Sequence, residues 1–350
     1  MTAPRACILL LLAAAAACAG GGAPSAAPQA VDLLRAYEPI LLFHPEEDWA
    51  PERPEAFLAD ARLERQVARG SWSAVPGPLP TSTAGCAFNP CFRLNLPCAL
   101  RLGDACYERL ALRKTQWQRP VVFGRVVNVP AGSAPAPGFT APPRYLVRYW
   151  LFYEFDDWHS ARKRLWQAHE GDWESISVAI GADGLPQFAA YSQHCSGSIR
   201  GWSSVQKRGQ THPVAYVALG SHANYFTNTS SSTRFTECLG KGLATTAAAK
   251  AASLVRLAQD RVVDRTGLAH PLGPPSLAGV SLAGVTPLEL VALDPAALPW
   301  AGFAGRWSEG QLLWLGTVPH PLTSVSQGYG PSTPRWTSTS IPSLWHVESS

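Results

Sequence analysis

The stretch Ala168–Glu174 (AHEGDWE) contains a histidine and two acids whose spacing suits metal coordination. It runs into a β-branched segment that ends at Ile180, which predicts a strand. If that strand begins near Asp172, period-two alternation places Asp172 and Glu174 on its apolar face. His169 would lie in the preceding turn and fold over the two carboxylates. Two acids and an imidazole at one strand end are suitable ligands for a hard divalent cation, with Ca²⁺ or Mg²⁺ as the expected ion.

The same residues also fit a second interpretation, in which the strand simply begins with solvated charges. The apolar neighbours favour the metal site, because charges on a core-facing side are costly unless they are paired or bind a metal. Trp173, between the two acids, is expected to be a packing residue.

Further polar residues lie at the ends of expected strands. His194 ends one strand, His212 opens another, and Ser221 and His222 follow in a turn. If the strands stack in order, these side chains lie near the acidic pair as candidate ligand contacts. His194 and His222 would then contact the cation through water or bind an anion, and in an enzyme either could act as a general base. Ser221 lacks the G-x-S-x-G context of a serine nucleophile.

The order of apolar runs predicts a mainly β protein. The strongest run, Arg144–Phe155 (RYLVRYWLFYEF), is typical of a central strand. Helices are expected at Glu55–Ala68 and Ala244–Arg261. The remaining expected strands lie within Ala36–Glu47, Val121–Val127, Asp172–Ile180, Phe188–His194 and His212–Ala218. Consecutive strands without intervening helices favour an antiparallel β-sandwich with long loops, a few short helices and disulfides.

The composition agrees with a loop-rich β protein. Charged residues make up 15% of the 350 residues, and the chain has 31 Pro, 29 Gly and 13 Trp. The net charge of +4 is not gathered into a basic stripe, so no nucleic-acid partner is expected. Residues 36–350 are expected to form a single β-sandwich domain, with a Cys-rich excursion at 80–110 and an insertion at 240–300. Trp158, Trp166 and Trp202 are expected in exposed loops, where they would suit a membrane interface or a sugar ring.

The N-terminus has the pattern of an export signal. Arg5 precedes an apolar segment that is too short to span a bilayer. Residues 1–18 are expected to be the signal peptide and residues 19–35 a flexible tether. The segment resembles a bacterial lipoprotein leader, which implies lipidation of Cys18 and a membrane anchor. Cleavage by ordinary signal peptidase, with secretion, is the alternative.

The cysteine count agrees with export. Of the eight cysteines, Cys7 and Cys18 fall in the leader, which leaves an even number in the mature chain. An even number in an exported protein predicts disulfides. The disulfide candidates are Cys86, Cys91, Cys98, Cys106, Cys195 and Cys238. Pairing of Cys195 with Cys238 is one hypothesis among several connectivities, and a zinc knuckle within 86–106 is an alternative for that window.

Several blocks of the chain resemble the vacuolar protein sorting-associated protein 62 family, across most of residues 36–340. They occur in the family's order and are Tyr37–Glu47 (YEPILLFHPEE), Arg148–Phe155 (RYWLFYEF), His169–Glu174 (HEGDWE), Tyr191–His194 (YSQH), His212–Phe226 (HPVAYVALGSHANYF), Gly305–Trp307 and Gly330–Pro331. That family is in turn similar to the necrosis- and ethylene-inducing-peptide-like proteins, which are secreted β-sandwich cytolysins.

The hallmark of those cytolysins is the heptapeptide G-H-R-H-D-W-E. Here His169, Asp172, Trp173 and Glu174 match it, whereas Ala168, Glu170 and Gly171 depart from it. The resemblance implies that His169, Asp172 and Glu174 hold a divalent cation together with an upstream acid, which is either Asp156 or Asp157. In the cytolysins the cation helps to engage sphingolipid head groups on target membranes.

Two functions of different classes follow from these features. The first is an exported, cation-dependent binding protein that engages a lipid head group, a sugar or a phosphate through the His/Asp/Glu site. The second is a metal-dependent hydrolase of phosphoesters or glycans, with His194 or His222 as the base. The binding protein is the preferred reading, because the motif supplies one metal and no evident nucleophile.

Overall fold

The computed structural model describes residues 30–97, 117, 119–159, 165–193, 196–228, 231–232, 263–277, 280–281, 283–308, 312–315, 318–320 and 346–347. Two α-helices lie in these ranges, α1 (Ala30–Ala36) and α2 (Glu55–Asp60). Two 3₁₀ turns lie at Trp202–Ser204 and Pro299–Gly302. In the described ranges, no helix has the length and apolar character needed to cross a membrane.

The rest of the regular structure is strand. The strands are β1 (Ile40–Phe43), β2 (Arg62–Ala68), β3 (Ser71–Ala74), β4 (Phe92–Asn95), β5 (Val121–Asn128), β6 (Tyr145–His159), β7 (Leu165–Ile180), β8 (Pro186–Gln193), β9 (Ser196–Gly201), β10 (Lys207–Arg208), β11 (His212–Val217), β12 (Asn224–Tyr225), β13 (Ser231–Ser232), β14 (Val263–Asp264), β15 (Ala269–Gly273), β16 (Ser276–Leu277), β17 (Val280–Ser281), β18 (Thr286–Pro287), β19 (Glu289–Ala292), β20 (Leu312–Leu315), β21 (Val318–His320) and β22 (His346–Val347). The expectation of a mainly β fold is confirmed.

A large sheet forms around the aromatic run of β6. Its strand order is β19-β5-β6-β7-β8-β9-β22, and β20 pairs with the start of β7, residues 165–168. The strands from β5 to β9 are antiparallel to their neighbours, as expected from their short connections. β6 and β7 pair with each other along almost their whole length, whereas β5, β8 and β20 each pair with only part of one of them. Both long strands therefore extend beyond the region in which β5 to β9 lie side by side.

A second sheet, in the order β10-β11-β1-β15-β18 with β12 on β11, contributes to the same core. β1 and β11 run parallel, with Phe43 opposite Val217. Their inward side chains share one apolar cluster with Tyr149, Tyr153 and Ile176 of the large sheet. Two sheets therefore bury one common core. The stricter assignment to a sandwich stays a prediction.

Gly171 interrupts the side-chain alternation of β7. Its φ of +62° lies in the left-handed region, which glycine adopts readily. The pairing with β6 keeps the same register on both sides, with Tyr153 opposite Asp172 and Asp156 opposite His169. At Gly171, however, the odd- and even-numbered side chains of β7 exchange the faces of the sheet on which they lie. His169 lies on the same side as Asp172, and the carboxylate of Glu170 instead accepts a hydrogen bond from the Leu96 amide at 3.2 Å.

The expected helix at Glu55–Ala68 is wrong in its second half. α2 ends at Asp60, and Ala61 is already extended. Arg62–Ala68 is β2, which pairs with β3 on one side and β4 on the other. The residues are good helix formers, but two partner strands outweigh that weak local preference. The expected helix at Ala244–Arg261 lies outside the described residues.

The segment at 240–300, expected to be an insertion, supplies strands to both sheets in its described part. β15 pairs with β1 in the smaller sheet, and β19 pairs with β5 at the edge of the large sheet. Removing this segment would therefore remove strands from both sheets.

Cys86 and Cys91 form a disulfide within the Cys-rich segment. The loop that it closes leads directly into β4, so the bridge fixes the entry to the three-stranded sheet β3-β2-β4. The other four disulfide candidates, Cys98, Cys106, Cys195 and Cys238, lie outside the described residues, as does Cys18 of the leader.

Glu38 is a buried acid that precedes β1, and its Oε1 atom accepts no hydrogen bond from the described residues. Burial raises its pKa from 4.5 to about 8, although the charge of Arg35 partly offsets this effect. Because the folded protein holds this proton more tightly than the unfolded chain does, the contribution of Glu38 to stability falls as the pH rises from about 4.5 to about 8.

We expect Gly171→Ala to destabilise the fold by at least about 2 kcal/mol. A Cβ atom at this position would lie 2.2 Å from the Trp307 carbonyl oxygen, and the backbone would also be strained. Gly184→Ala is the matched control, because Gly184 has a φ of +80° but no heavy atom within 4 Å of the added carbon. The control should lose about 1 kcal/mol. Equal losses in urea unfolding of the two variants would contradict the steric argument.

Glu38→Gln should raise the melting temperature by an amount that grows with pH between about 5 and about 8. The amide removes the cost of ionising a buried acid, and that cost is absent at low pH. The measurement is thermal unfolding at a series of pH values, with Glu46→Gln as the control, since the Glu46 side chain is 69% exposed. A pH-independent difference would show that Glu38 is not titrating across this range.

Candidate metal centre

Asp156, His169 and Asp172 form a buried group that could hold a metal ion. Each offers one ligand atom, and these three atoms lie within 4.8 Å of one another. The His169 Nε2 atom is 3.4 Å from Asp156 Oδ2 and 3.9 Å from Asp172 Oδ1. The residues are 1%, 2% and 6% exposed in chain order, so the group lies inside the protein.

The pairing of β6 with β7 positions the three side chains. Asp156 and His169 are direct cross-strand partners, and Gly171 brings Asp172 to the same side. The His169 Nδ1 atom lies 3.3 Å from the Glu170 carbonyl oxygen. Because a carbonyl only accepts, Nδ1 carries the proton in this contact, and Nε2 presents its lone pair to the two carboxylates. Asp156 Oδ1 accepts a hydrogen bond from the Trp158 amide, which leaves Oδ2 directed at His169.

Glu174 lies two residues beyond Asp172 on the same apolar face, as the sequence predicts. The Ser192 hydroxyl of β8 donates to its Oε2 atom. The same hydroxyl oxygen accepts the Ser175 amide at 2.6 Å. Burial, together with the nearby charge of Asp172, raises the pKa of Glu174 well above its ordinary value. Glu174 is therefore part of the acidic cluster, but a hydroxyl on the neighbouring strand already contacts one of its oxygens.

His222 and Glu47 extend the cluster on the side of the smaller sheet. The His222 Nδ1 atom is 2.9 Å from Asp172 Oδ2, and its Nε2 atom is 3.6 Å from Glu47 Oε1. The imidazole stacks on the Tyr153 ring with the centroids 3.8 Å apart. Glu47 also accepts hydrogen bonds from the amides of Trp49 and Gly220. His222 thus links two carboxylates and fixes the side of Asp172 that faces away from His169.

With all of its carboxyl groups ionised, the cluster holds more negative than positive charge. Four carboxylates, those of Glu47, Asp156, Asp172 and Glu174, are buried together. Among the described residues, His169 and His222 are the only side chains within ion-pair distance of them that can carry a positive charge, and His169 is neutral when its Nε2 lone pair faces the acids. Burial, reinforced by Asp172, raises the pKa of Asp156 well above its ordinary value. A bound divalent cation would offset this excess charge.

The pKa of His222 is set by opposing effects. Burial lowers it, but the carboxylates of Glu47 and Asp172 together outweigh burial and raise the pKa to about 10. The imidazole is therefore protonated at neutral pH and compensates part of the negative charge.

The structure corrects one expectation about the acidic stretch and bears on one choice that the sequence leaves open. His169 lies within β7, because the strand begins at Leu165 and not near Asp172. Of the two upstream acids, Asp156 joins the group, whereas Asp157 is its neighbour on the strand and is not among the three residues. The backbone amide of Asp157 donates to the Gly220 carbonyl at 2.9 Å.

The other candidate residues are divided between the cluster and more distant positions. His222 belongs to the cluster, but the Ser221 hydroxyl donates to Asp264 at 3.1 Å. His212 Nδ1 lies 2.8 Å from the Glu38 carbonyl oxygen at the start of β11, and no contact within the described part of the chain joins it to the acidic cluster. His194 lies outside the described residues.

The expected exposed tryptophans do not form a rim around the site in the described chain. Trp158 is a buried strand residue, and Trp202 is half-buried where its edge packs on Tyr37. Trp166 lies in β7, and its side chain is outside the described residues. Trp173 is a packing residue as expected, since its ring contacts Phe152 and Trp307.

Sequence reasoning missed Glu47, Ser192 and Tyr153 as members of the site. Glu47 follows β1, and the parallel pairing of β1 with β11 brings it beside Gly220 and His222. That pairing joins segments about 170 residues apart in the chain, and no local sequence pattern predicts it. The alternation of Tyr153 with Tyr149 and Leu151 in β6 did carry a signal, because it places Tyr153 on one face with them.

No protein-family model, curated protein or solved structure matches the chain. The fold and the cluster define the chain as a β-rich protein with a buried acidic centre that could hold a metal ion. Its function is therefore inferred from the residues of that centre.

We expect Asp156→Asn to weaken divalent-cation binding by more than the roughly tenfold to hundredfold cost of losing an outer partner, because it removes a charged ligand. Asp157→Asn, the same chemical change at the next residue, should leave the affinity within about threefold. Isothermal titration of the metal-stripped proteins measures both. Greater loss in Asp157→Asn would mean that the upstream ligand has been assigned to the wrong acid.

Proposed function

We propose that this chain is a divalent-cation-dependent binding protein whose cation engages a lipid head group, a sugar or a phosphate. The observation that carries the proposal is the buried Asp156–His169–Asp172 group, with its excess of negative charge. Ionised carboxylates are costly inside a protein unless they are paired or bind a metal. His222 pairs with part of this charge. A divalent cation would offset the remainder, in place of the protons that the raised pKa values of Asp156 and Glu174 otherwise favour.

The ligand types favour a hard cation. Asp156 and Asp172 offer carboxylate oxygens, and Glu174 adds another nearby, against a single imidazole nitrogen from His169. Oxygen-rich sites suit Ca²⁺, Mg²⁺ and Mn²⁺, whereas structural Zn²⁺ sites are closed, tetrahedral and often built from cysteine and histidine. We therefore retain Ca²⁺ or Mg²⁺ as the proposed ion.

The resemblance to the necrosis- and ethylene-inducing-peptide-like proteins supports the proposal. It implies His169, Asp172 and Glu174 as ligands with one upstream acid, and Asp156 lies in position to be that acid. One departure from the motif has a structural correlate. A residue other than glycine at 171 would contact the Trp307 backbone, so a second motif histidine does not fit this local geometry.

Binding of an external ligand requires a free position on the cation. Asp172 is the most exposed of the three ligands, at 8% of its side chain against 3% for His169 and 2% for Asp156. The phosphate or hydroxyl oxygens of a head group or sugar would approach from the Asp172 side. Such oxygens are ordinary additional ligands of Ca²⁺ and Mg²⁺.

The geometry gives less support to a hydrolase. Both ring nitrogens of His222 face carboxylates, so this residue has no free lone pair with which to accept a proton from water. The Ser221 hydroxyl donates to Asp264, and no histidine of the described residues forms a hydrogen bond with it. The role of His222 that these contacts support is to position Asp172 and compensate charge.

Export is the second part of the proposal. The apolar leader of residues 1–18 supports translocation, and Cys18 supports a lipid anchor on the far side of the membrane. The Cys86–Cys91 disulfide agrees with an oxidising compartment. A cation site on an anchored or secreted protein would encounter lipid and glycan head groups directly.

We expect the purified mature protein to bind particular liposomes or glycans only in the presence of Ca²⁺ or Mg²⁺. The binding should be lost on addition of EDTA and in Asp172→Ala and Glu174→Ala, since both changes remove carboxylates from the centre. Glu46→Ala is the control, because it removes an exposed acid of the same charge next to Glu47. The measurement is flotation with vesicles of defined head groups, together with a glycan array, each with and without chelator.

Two outcomes would overturn this function. A native protein that contains no metal and shows no response to added Ca²⁺, Mg²⁺ or Mn²⁺ would remove the cation. Turnover of a phosphoester or glycan that is lost in Asp172→Ala and Glu174→Ala would replace the binding function with the hydrolase.

A further inference from the structure

Asn224 is a buried amide with no partner for its side chain. The residue is 0% exposed, and neither Oδ1 nor Nδ2 forms a hydrogen bond with the described residues. Its main-chain carbonyl is satisfied, since it accepts a hydrogen bond from Gln193 Nε2 at 3.0 Å. A buried amide without partners destabilises the folded protein. The side chain of Asn224 therefore lacks a structural explanation within the fold.

The side chain of Asn224 lies on the core face of β12. Ala223 and Tyr225 pack in the outer apolar cluster of the smaller sheet, whereas Phe226 packs in the main core between the sheets. Because side chains alternate along an extended segment, Asn224 lies on the same side as Phe226. Its cross-strand partner Val217 also belongs to the main core. Asn224 thus faces the large sheet.

The neighbours on either side fix its level along β7. His222 contacts Asp172, and Phe226 stacks on Tyr191, which is the cross-strand partner of Ile176. The two contacts place the segment His222–Phe226 alongside Asp172–Ile176. Asn224 is the middle residue of His222–Phe226, and Glu174 is the middle residue of Asp172–Ile176. Asn224 therefore lies level with Glu174 along β7, at the Glu174 end of the acidic cluster.

We propose that Asn224 is a further oxygen ligand of the divalent cation and that it selects a hard ion over zinc. The proposal rests on the cation-binding function proposed above. With Asn224 Oδ1 and Glu174 added to the Asp156–His169–Asp172 group, the centre offers four oxygens and one nitrogen. Ca²⁺ takes six to eight mostly oxygen ligands, and Mg²⁺ requires six, whereas Zn²⁺ is satisfied by four. A fifth protein ligand of amide oxygen type therefore benefits Ca²⁺ and Mg²⁺ more than Zn²⁺.

The experiment is calorimetric titration of the metal-stripped mature protein with Ca²⁺, Mg²⁺ and Zn²⁺, in wild type, Asn224→Leu and Asn224→Asp. Asn224→Leu keeps the number and branching of the side-chain heavy atoms and removes the oxygen, so Ca²⁺ affinity should fall about tenfold or more while Zn²⁺ affinity changes less than about threefold. Asn224→Asp restores an oxygen and should bind Ca²⁺ at least as tightly as wild type. Asn228→Leu is the control. Asn228 is an exposed asparagine that follows β12 in the chain, and its Oδ1 atom accepts a hydrogen bond from the Thr266 hydroxyl.

A stability measurement separates a ligand from a purely structural residue. Without cation, Asn224→Leu should melt at the same temperature as wild type or higher, because it removes two unpaired buried polar atoms. With Ca²⁺, the rise in melting temperature should be smaller than in wild type. A loss of stability without cation, or equal Ca²⁺ and Zn²⁺ losses, would overturn the assignment of Asn224 as a selective ligand.

The results for wild type and Asp156→Asn distinguish the two levels of inference. If wild type binds Ca²⁺ and Asp156→Asn does not, but Asn224→Leu binds like wild type, the role of Asn224 is refuted and the cation centre stands. If wild type binds none of the three ions, the cation-binding function is refuted together with the role of Asn224.

Discussion

The buried negative charge between the two sheets is the constraint on which the rest of the structure depends. Each ionised carboxylate removed from water carries a penalty of several kcal/mol, even after the protein relaxes around it. Glu47 is stabilised by two backbone amides, Glu174 by the Ser192 hydroxyl, and Asp172 by the His222 imidazole. Asp156 and the far side of Asp172 face His169. The negative charge is least compensated at this position, so a cation would be most favourable there.

Two left-handed backbone positions make this arrangement feasible. Gly171 has a φ of +62° and turns His169 towards Asp172, and His222 has a φ of +53° and directs its own ring to the opposite side of the same carboxylate. Non-glycine residues rarely adopt this conformation, and they do so mostly where the surrounding structure requires it. At His222 the requirement is met by stacking on Tyr153 and by its backbone bond to Ala218. Strain of this kind is frequent at functional sites.

The chemistry of the centre favours binding over turnover. An enzyme that activates water at a metal needs a base with a free lone pair next to the ion. Here the nearest imidazole beyond the ligands is held between two acids, and the serine beside it is bonded elsewhere. A cation fixed by carboxylates inside a rigid sheet pair is better suited to present a constant coordination geometry to an oxygen ligand. These contacts are the reason that we propose cation-dependent recognition as the function.

The sequence by itself determined the β character of the chain, the position of its central strand, and the sharing of one apolar face by Asp172 and Glu174. These properties depend on period-two alternation, which is local and therefore visible in the residues. The tertiary structure decided the rest of the centre. Asp156, and not Asp157, joins the group because the alternation of side chains in β6 changes face opposite Gly171. Counting residues along β6 does not reveal this change. The parallel pairing of β1 with β11 brings Glu47 and His222 to the centre. The helix-forming residues of β2 form a strand because two partner strands, β3 and β4, pair with them. Pairing between distant segments is set by the energy of the whole fold, so local sequence preference does not reveal it.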